Sequence, residues 1–321
     1  MLRPEGHSEF RGRLPVPRVV IVGDRNSGKT TFLGLLYAAQ VKFGSEKADD
    51  FRFHASFESL DEISGVFQRL MSGAFPDSAT REGVREVTFR LSPPRPKLGI
   101  VWRRKRNPVS DDSDLFRLIL LKSFEDEVVR SLEPSSSIGH MTLNEALVSD
   151  AIVIMVDATE LAASDEQAPH TPMAKVDAAV EALLTAIQRS RAHGEATSLH
   201  PIFVFSKFDR VDPDSLRLLN LESAPPDVRK RGPHLAYGRT LADRNMPKTI
   251  AAIKARKDRG LRFEAPAYFF SWVRTDNAAS GRGEKIRLRH SGAVGWEPDF
   301  SSDEYLAFLT CLGDIAADAR R

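Results

Sequence analysis

Residues 19–31 read VVIVGDRNSGKTT, and this stretch decides the fold class. From Val16 to Val22 the chain is apolar apart from Pro17 and Arg18. A short, continuous apolar run of this kind is typical of a strand that is covered on both faces of a parallel sheet. After the glycines, apolar residues recur at helical spacing and Gly44 is expected to end the helix. The stretch therefore predicts a buried strand, a tight loop and an amphipathic helix.

The loop matches the pattern G-x-x-x-x-G-K-[ST] at Gly23, Gly28, Lys29 and Thr30. Two glycines allow the backbone to curl so that its N–H groups face phosphate oxygens, and the following helix adds its positive dipole end. The lysine supplies a counter-charge to the β- and γ-phosphates, and the threonine hydroxyl is expected to bind Mg²⁺. The alternative is an ordinary glycine-rich turn. We expect the nucleotide to be held by Gly23, Asp24, Arg25, Asn26, Ser27, Gly28, Lys29, Thr30 and Thr31.

The bulk composition is that of an ordinary soluble globular protein. The 321 residues are 41% hydrophobic and 28% charged, and the net charge is +2. That charge gives no support for nucleic-acid binding, and no apolar run is long enough to cross a membrane. A single cysteine, Cys311, excludes a disulfide framework. Together with an N-terminus that lacks the apolar stretch of a signal peptide, this predicts a cytoplasmic protein.

Further along the chain, strand patterns alternate with helix patterns, which predicts a three-layer α/β fold with a mostly parallel sheet. We expect a polar tail over residues 1–16 and one domain over 17–321, with insertions near 92–114 and 212–262. The first insertion contains the basic cluster Arg103–Arg106, interpreted either as a solvated loop or as a site for an acidic partner. Predicted strands cover 84–91, 115–121, 151–156, 201–205 and, as the last, 267–270; predicted helices cover 59–71 and a C-terminal stretch that opens with a capping box at Ser301–Glu304.

The tetrapeptide Ser206-Lys207-Phe208-Asp209 follows the apolar run 201–205. It resembles the [N/T/S]-K-x-D guanine-specificity motif of the TRAFAC and Ras-like GTPases. A carboxylate at Asp209 can accept hydrogen bonds from the N1–H and 2-amino groups of guanine, which adenine does not offer. Ser206 replaces the more usual asparagine, so we expect one support of the loop to be weaker. A surface turn is the alternative.

The same resemblance extends to two other places in the chain. Ser271-Trp272-Val273 resembles the loose S-A-x motif whose backbone supports guanine O6. The stretch Ser72-Gly73-Ala74-Phe75-Pro76, followed by Thr80, is similar to the segment before the switch in divergent bacterial GTPases of the double-GTPase-like group. This implies that Thr80, or else Ser78, reaches Mg²⁺ in the triphosphate state.

The third motif expected from the resemblance, D-x-x-G, is missing. Its positions read Lys122-Ser123-Phe124-Glu125, without the aspartate or the glycine. Glu125, Asp126 or Glu127 could replace the missing carboxylate, and Glu125 and Asp126 are the candidate catalytic residues. Asp157 is a further acidic candidate, with a structural interpretation preferred. Arg25 occupies a position near the γ-phosphate and is interpreted as pointing to solvent rather than as a charge clamp.

These features predict a switch that binds GTP or GDP with Mg²⁺, hydrolyses GTP slowly or with a partner's help, and acts through a protein effector or regulator. Two alternatives stay open. One is a structural subunit that binds nucleotide without hydrolysing it, which the missing third motif favours. The other is a P-loop ATPase or kinase, which leaves residues 206–209 unexplained.

Overall fold

A computed structural model describes the greater part of the chain. The described residues are 16–46, 54–77, 84–92, 114–120, 146–161, 171–192, 197–255, 260–277, 284–292 and 295–319. The tail and the body of the predicted insertion near 92–114, including Arg103–Arg106, lie outside them. The predicted domain boundaries therefore stay predictions.

The strands and helices alternate over most of the described chain. The strands are β1 Arg18–Gly23, β2 His54–Phe57, β3 Glu86–Ser92, β4 Asp114–Leu120, β5 Ala151–Asp157, β6 Thr197–Ser206, β7 Leu261–Phe263, β8 Ala267–Ser271, β9 Thr275–Asn277, β10 Glu284–Ile286, β11 Leu288–Ser291 and β12 Gly295–Pro298. The α-helices are α1 Lys29–Glu46, α2 Leu60–Met71, α3 Pro172–Arg191, α4 Pro213–Leu218, α5 Arg231–Asn245, α6 Pro247–Lys254 and α7 Ser302–Ala319. Short 3₁₀ turns cover Ala158–Glu160 and Phe208–Arg210.

An eight-stranded sheet forms the centre, in the order β2-β3-β4-β1-β5-β6-β7, with β8 also paired to β6. β1 is parallel to β4 and β5, β5 is parallel to β6, and β6 is parallel to β7 and β8. β3 is antiparallel to both β2 and β4. The carboxyl ends of β1, β5, β6 and β8 consequently meet at one edge of the sheet.

Two buried clusters cover the two faces of the sheet, as the alternation along β1 requires. Val19 and Ile21 pack into one cluster with residues of α1, α2 and α7. Val20 and Val22 pack into the other with residues of α3, α5 and α6. This arrangement confirms the predicted three-layer α/β fold with a mostly parallel sheet, and it is consistent with a Ras-like P-loop topology.

Several details of the prediction are wrong. α1 continues past Gly44 to Glu46. Ala267–Ser271 is not the last strand, because β9–β12 form two further antiparallel pairs before α7. Glu304 does not close a capping box, because its carboxylate is buried against β8 and α5. Periodicity within a segment does not reveal which neighbour covers it.

Within the described ranges, no helix is both long and apolar enough to cross a membrane.

Candidate phosphate and base site

The loop between β1 and α1 has the backbone geometry of an anion nest. Asn26 and Gly28 adopt positive φ angles of 70° and 86°, and the N–H of Ser27 donates to the Asp24 carbonyl across 3.1 Å. Alternating right- and left-handed residues turn successive N–H groups toward one concavity. A Cβ at Gly23 would lie 2.7 Å from the Met155 carbonyl oxygen, so the loop must start with glycine.

Lys29 lies inside this loop. Lys29 is 8% exposed, and its Nζ donates to the carbonyl oxygens of Gly23 and Asp24, both at 2.7 Å. The Ser27 hydroxyl is 3.4 Å from the same nitrogen. These contacts hold the buried ammonium group against the backbone of the loop.

The other predicted loop residues differ in exposure. Thr30 is buried at the start of α1, while Thr31 is half-buried. Arg25 is exposed, and its backbone N–H donates to the Asp24 carboxylate at 2.6 Å. This exposure agrees with the solvent interpretation of Arg25, and the clamp interpretation stays untested.

Ser206 connects the base motif to the phosphate loop. It ends β6, is buried, and donates its hydroxyl proton to the Ser27 carbonyl oxygen across 2.7 Å. The Val156 carbonyl oxygen is a second acceptor at 3.1 Å. A Cβ on Gly28 would lie 3.5 Å from the Cβ of Ser206. Ser206 therefore supports the phosphate loop through a direct hydrogen bond, and whether this support is weaker than that of an asparagine stays a prediction.

Lys207 follows in the left-handed conformation, with φ 53° and ψ 35°. Its Nζ forms an ion pair with the Asp157 carboxylate. The other oxygen of Asp157 accepts from the backbone N–H and the hydroxyl of Thr159, at 3.1 Å and 2.7 Å. Asp157 is thus occupied in capping the 3₁₀ turn and in pairing with Lys207, which agrees with its structural interpretation.

Further acidic groups surround this ion pair. Burial raises the pKa of Glu160, and the negative charges of Asp157 and Asp24 raise it further, while Lys207 opposes them. Lys207 is therefore the positive group that balances carboxylates on the side of the loop next to β5.

Asp209 lies three residues beyond the buried end of β6. The ring of the preceding residue, Phe208, is buried and packs edge-on against Phe270, with ring centroids 4.8 Å apart. This packing fixes the backbone next to Asp209. Asp209 itself is exposed, yet partial burial raises the pKa of its carboxyl. Arg210 lowers that pKa and Glu284 raises it, so the carboxylate lies within the field of both.

Ser271 ends β8 directly opposite Ser206 in the sheet register. Its hydroxyl is buried and lies 2.7 Å from the Tyr305 hydroxyl. The structure therefore brings the ends of β1, β6 and β8 to one edge, where the phosphate-loop, Ser-Lys-Phe-Asp and Ser-Trp-Val residues meet.

The antiparallel pair of β9 and β10 contacts Arg210, next to the predicted base motif, and Gly73, at the start of the predicted switch segment. Arg210 forms an ion pair with Glu284, and its guanidinium is 3.4 Å from the Thr275 hydroxyl. On the other side, the Ile286 N–H donates to the Gly73 carbonyl across 2.8 Å. Sequence analysis missed these residues, because three-residue strands carry too few positions for a periodic signal.

Four predicted site residues lie outside the described ranges: Thr80, its alternative Ser78, Glu125 and Asp126. The same holds for Lys122–Phe124. Their assignments as metal ligand and catalytic groups stay predictions.

Comparison with known proteins gives matches at the level of solved structures. No family model and no curated protein matches the chain. The signal recognition particle receptor SRb-GTP/SRX complex from Chaetomium thermophilum is similar over 84% of this chain and 95% of that chain, with 14% identity and a TM-score of 0.36. Two S. cerevisiae Ski7 GTPase-like domain structures, one with GDP and inorganic phosphate and one with GTP, cover 79% of this chain and 43% of theirs, with 15% identity and a TM-score of 0.31. The strand order and the phosphate loop of this chain are what define its fold class.

Proposed function

We propose that this chain is a guanine-nucleotide-binding switch whose site lies where β1, β6 and β8 end. The observation that carries the proposal is the 2.7 Å hydrogen bond from Ser206 to the Ser27 carbonyl. It joins the phosphate loop to the strand that presents Asp209, so that one nucleotide can reach both.

In this proposal the phosphates bind the nest of residues 23–30, and Lys29 neutralises their charge. The buried lysine is already oriented by the Gly23 and Asp24 carbonyls, so little side-chain entropy is lost on binding. The α1 N-terminus adds a favourable dipole.

Asp209 accepts hydrogen bonds from the N1–H and 2-amino groups of guanine. The Lys207 side chain lies beside the base, held by Asp157. The backbone after Ser271 supports O6, as the resemblance implies. Adenine carries no amino group at C2 and no hydrogen on N1, so it leaves the carboxylate without these partners.

The proposed Mg²⁺ site lies at the phosphate end, and only part of it falls within the described residues. Thr30 follows Lys29 and is buried at the start of α1. No cluster of three or more His, Cys, Asp or Glu side chains that could hold a metal occurs in the described ranges. Thr30 and Thr80 are the proposed ligands, and the remaining coordination would come from phosphate oxygens and water. When bound, the ion neutralises phosphate charge.

A non-hydrolysing structural subunit is the second candidate, and the sequence Lys122–Glu125 in place of D-x-x-G favours it. No observation at the ends of β6 and β8, where the base would bind, supports an ATPase or a kinase. Protein effectors or regulators of the switch belong to the same proposal.

The test is equilibrium binding of GDP, a non-hydrolysable GTP analogue and ADP, each with Mg²⁺. Lys29→Ala should remove most of the affinity for all three. Asp209→Ala should erase the guanine preference, a loss of about 1.5–3 kcal/mol, or roughly tenfold to a hundredfold in Kd. Asp214→Ala, an exposed carboxylate in α4, is the control that should change neither.

Equal wild-type affinity for GDP and ADP would contradict the guanine assignment. The nucleotide released from the purified protein by denaturation identifies the bound base independently. A permanent structural nucleotide would copurify at about one equivalent.

A further inference from the structure

Tyr305 joins two parts of the proposed site that are far apart in sequence. It lies in the first turn of α7, and only 1% of the residue is exposed. Its ring packs against Phe32 of α1 with centroids 5.3 Å apart, and edge-on against Phe300 at 5.4 Å. Phe32 is two residues beyond Thr30, so the ring supports the helix behind the phosphate loop.

The hydroxyl of Tyr305 points to the base side of the same site. It lies 2.7 Å from the hydroxyl of Ser271, and both groups are buried. Either oxygen can donate in such a pair. If the phenol donates, the Ser271 proton stays available for a second acceptor at the sheet edge.

The neighbouring residue Glu304 holds the backbone of β8 with its carboxylate. One carboxylate oxygen accepts from the Phe270 N–H at 3.1 Å, and the other lies 3.0 Å from Nε2 of His234. The first turn of α7 thus holds the last two residues of β8, one by its main chain and one by its side chain.

We infer that Tyr305 is a positioning residue for guanine recognition, acting through Ser271 on the backbone after β8 while its ring holds the start of α1. This inference rests on the proposed function. It adds a residue from the final helix to a site otherwise built from the phosphate loop and the ends of β6 and β8.

The electrostatics agree with this placement. Burial raises the pKa of Tyr305, the Ser271 hydrogen bond lowers it, and the charges of Glu304 and Asp209 raise it. The phenol therefore stays protonated at neutral pH, and the Asp209 carboxylate is near enough for its charge to act on Tyr305.

The experiment compares Tyr305→Phe, Ser271→Ala and the double variant in equilibrium binding of GDP and ADP, alongside urea unfolding. Each single variant should lower the guanine-to-adenine affinity ratio about threefold to tenfold, the equivalent of one hydrogen bond, without changing the ADP affinity. The double variant should lose no more than either single variant, because both remove the same bond. Ser271→Thr keeps a hydroxyl and should retain the ratio.

Tyr237→Phe is the matched control. Its buried hydroxyl donates to the Glu222 carbonyl at 2.7 Å, so the substitution costs stability in the same way without touching Ser271. If Tyr305→Phe does not fold, Ser271→Ala removes the bond from the other side.

If Tyr305→Phe or Ser271→Ala lowers the free energy of unfolding but keeps the wild-type guanine preference, this inference alone is overturned. A wild-type chain without guanine preference would overturn the proposed function, and this inference with it.

Discussion

The Ser206 hydroxyl donates to the Ser27 carbonyl oxygen across 2.7 Å, although 179 residues separate the two along the chain. β1 and β6 are both neighbours of β5, so their carboxyl ends lie at one edge of the sheet. The bond links the phosphate loop to the end of β6, next to the residues that we propose to face the base.

Replacing Ser206 by alanine should therefore weaken binding without abolishing it. One buried hydrogen bond contributes about 0.5–1.5 kcal/mol, which predicts a Kd for GDP that rises roughly twofold to tenfold. Ser198→Ala removes a hydroxyl from the exposed end of the same strand and should have no effect on binding. An unchanged GDP affinity in Ser206→Ala would show that the bond does not position the loop.

Asp209→Asn should stabilise the protein in the absence of nucleotide. Burial raises the pKa of this carboxyl above 3.8, so folding disfavours its ionised form. The ionised carboxylate therefore lowers the free energy of unfolding at pH above the folded-state pKa, and the effect disappears below the unfolded-state pKa. Urea unfolding at neutral pH should show the gain, and the gain should shrink as the pH falls. A gain that is independent of pH, or one matched by Asp214→Asn, would contradict this cause.

Gly73→Ala should destabilise the start of the proposed switch segment. Gly73 has a φ of 79°, and a Cβ there would lie 3.2 Å from the Ile286 carbonyl oxygen. We expect a loss of about 1–2 kcal/mol in the free energy of unfolding. Gly232→Ala in α5 is the control, because a Cβ there meets nothing within 4 Å and helix propensity favours alanine. Equal effects of the two substitutions would argue against strain at Gly73.

The segment from Gly73 to Glu86 is predicted to respond to the γ-phosphate, with Thr80 as the residue that reaches Mg²⁺. Hydrogen exchange in this segment should slow with a non-hydrolysable GTP analogue relative to GDP, and Thr80→Ala should remove the difference. Exchange in α3 should be the same in both states. Identical exchange of Gly73–Glu86 in both states would leave Thr80 an ordinary loop residue.

Intrinsic GTP hydrolysis is predicted to be very slow. Lys122 and Glu125 stand where an aspartate and a glycine are expected, and loss of one oxyanion donor typically costs about 10²–10³ in rate. Single-turnover hydrolysis by the purified protein measures this directly.

The controls for hydrolysis are Glu125→Ala, Asp126→Ala and Arg25→Ala. A fast wild-type rate would overturn the prediction of an impaired site. If one of these substitutions then abolished that rate, it would identify the group that replaces the missing motif.

Sequence alone predicted the elements whose signals are local. The apolar run of β1 and the spacing of Gly23, Gly28 and Lys29 specify strand, loop and helix, because backbone conformation and burial there depend on adjacent residues. The α/β layering followed from the alternation of such segments.

Tertiary structure alone decided which side chains meet. Glu304 fits a capping box in sequence, but α7 packs against β8 and turns its carboxylate to Phe270 and His234. The sheet also brings Ser206 within hydrogen-bonding distance of the Ser27 carbonyl, a contact that no local pattern in the sequence indicates. Contacts of this kind join residues tens to hundreds of positions apart, and their distances are set by how strands and helices pack rather than by any local pattern.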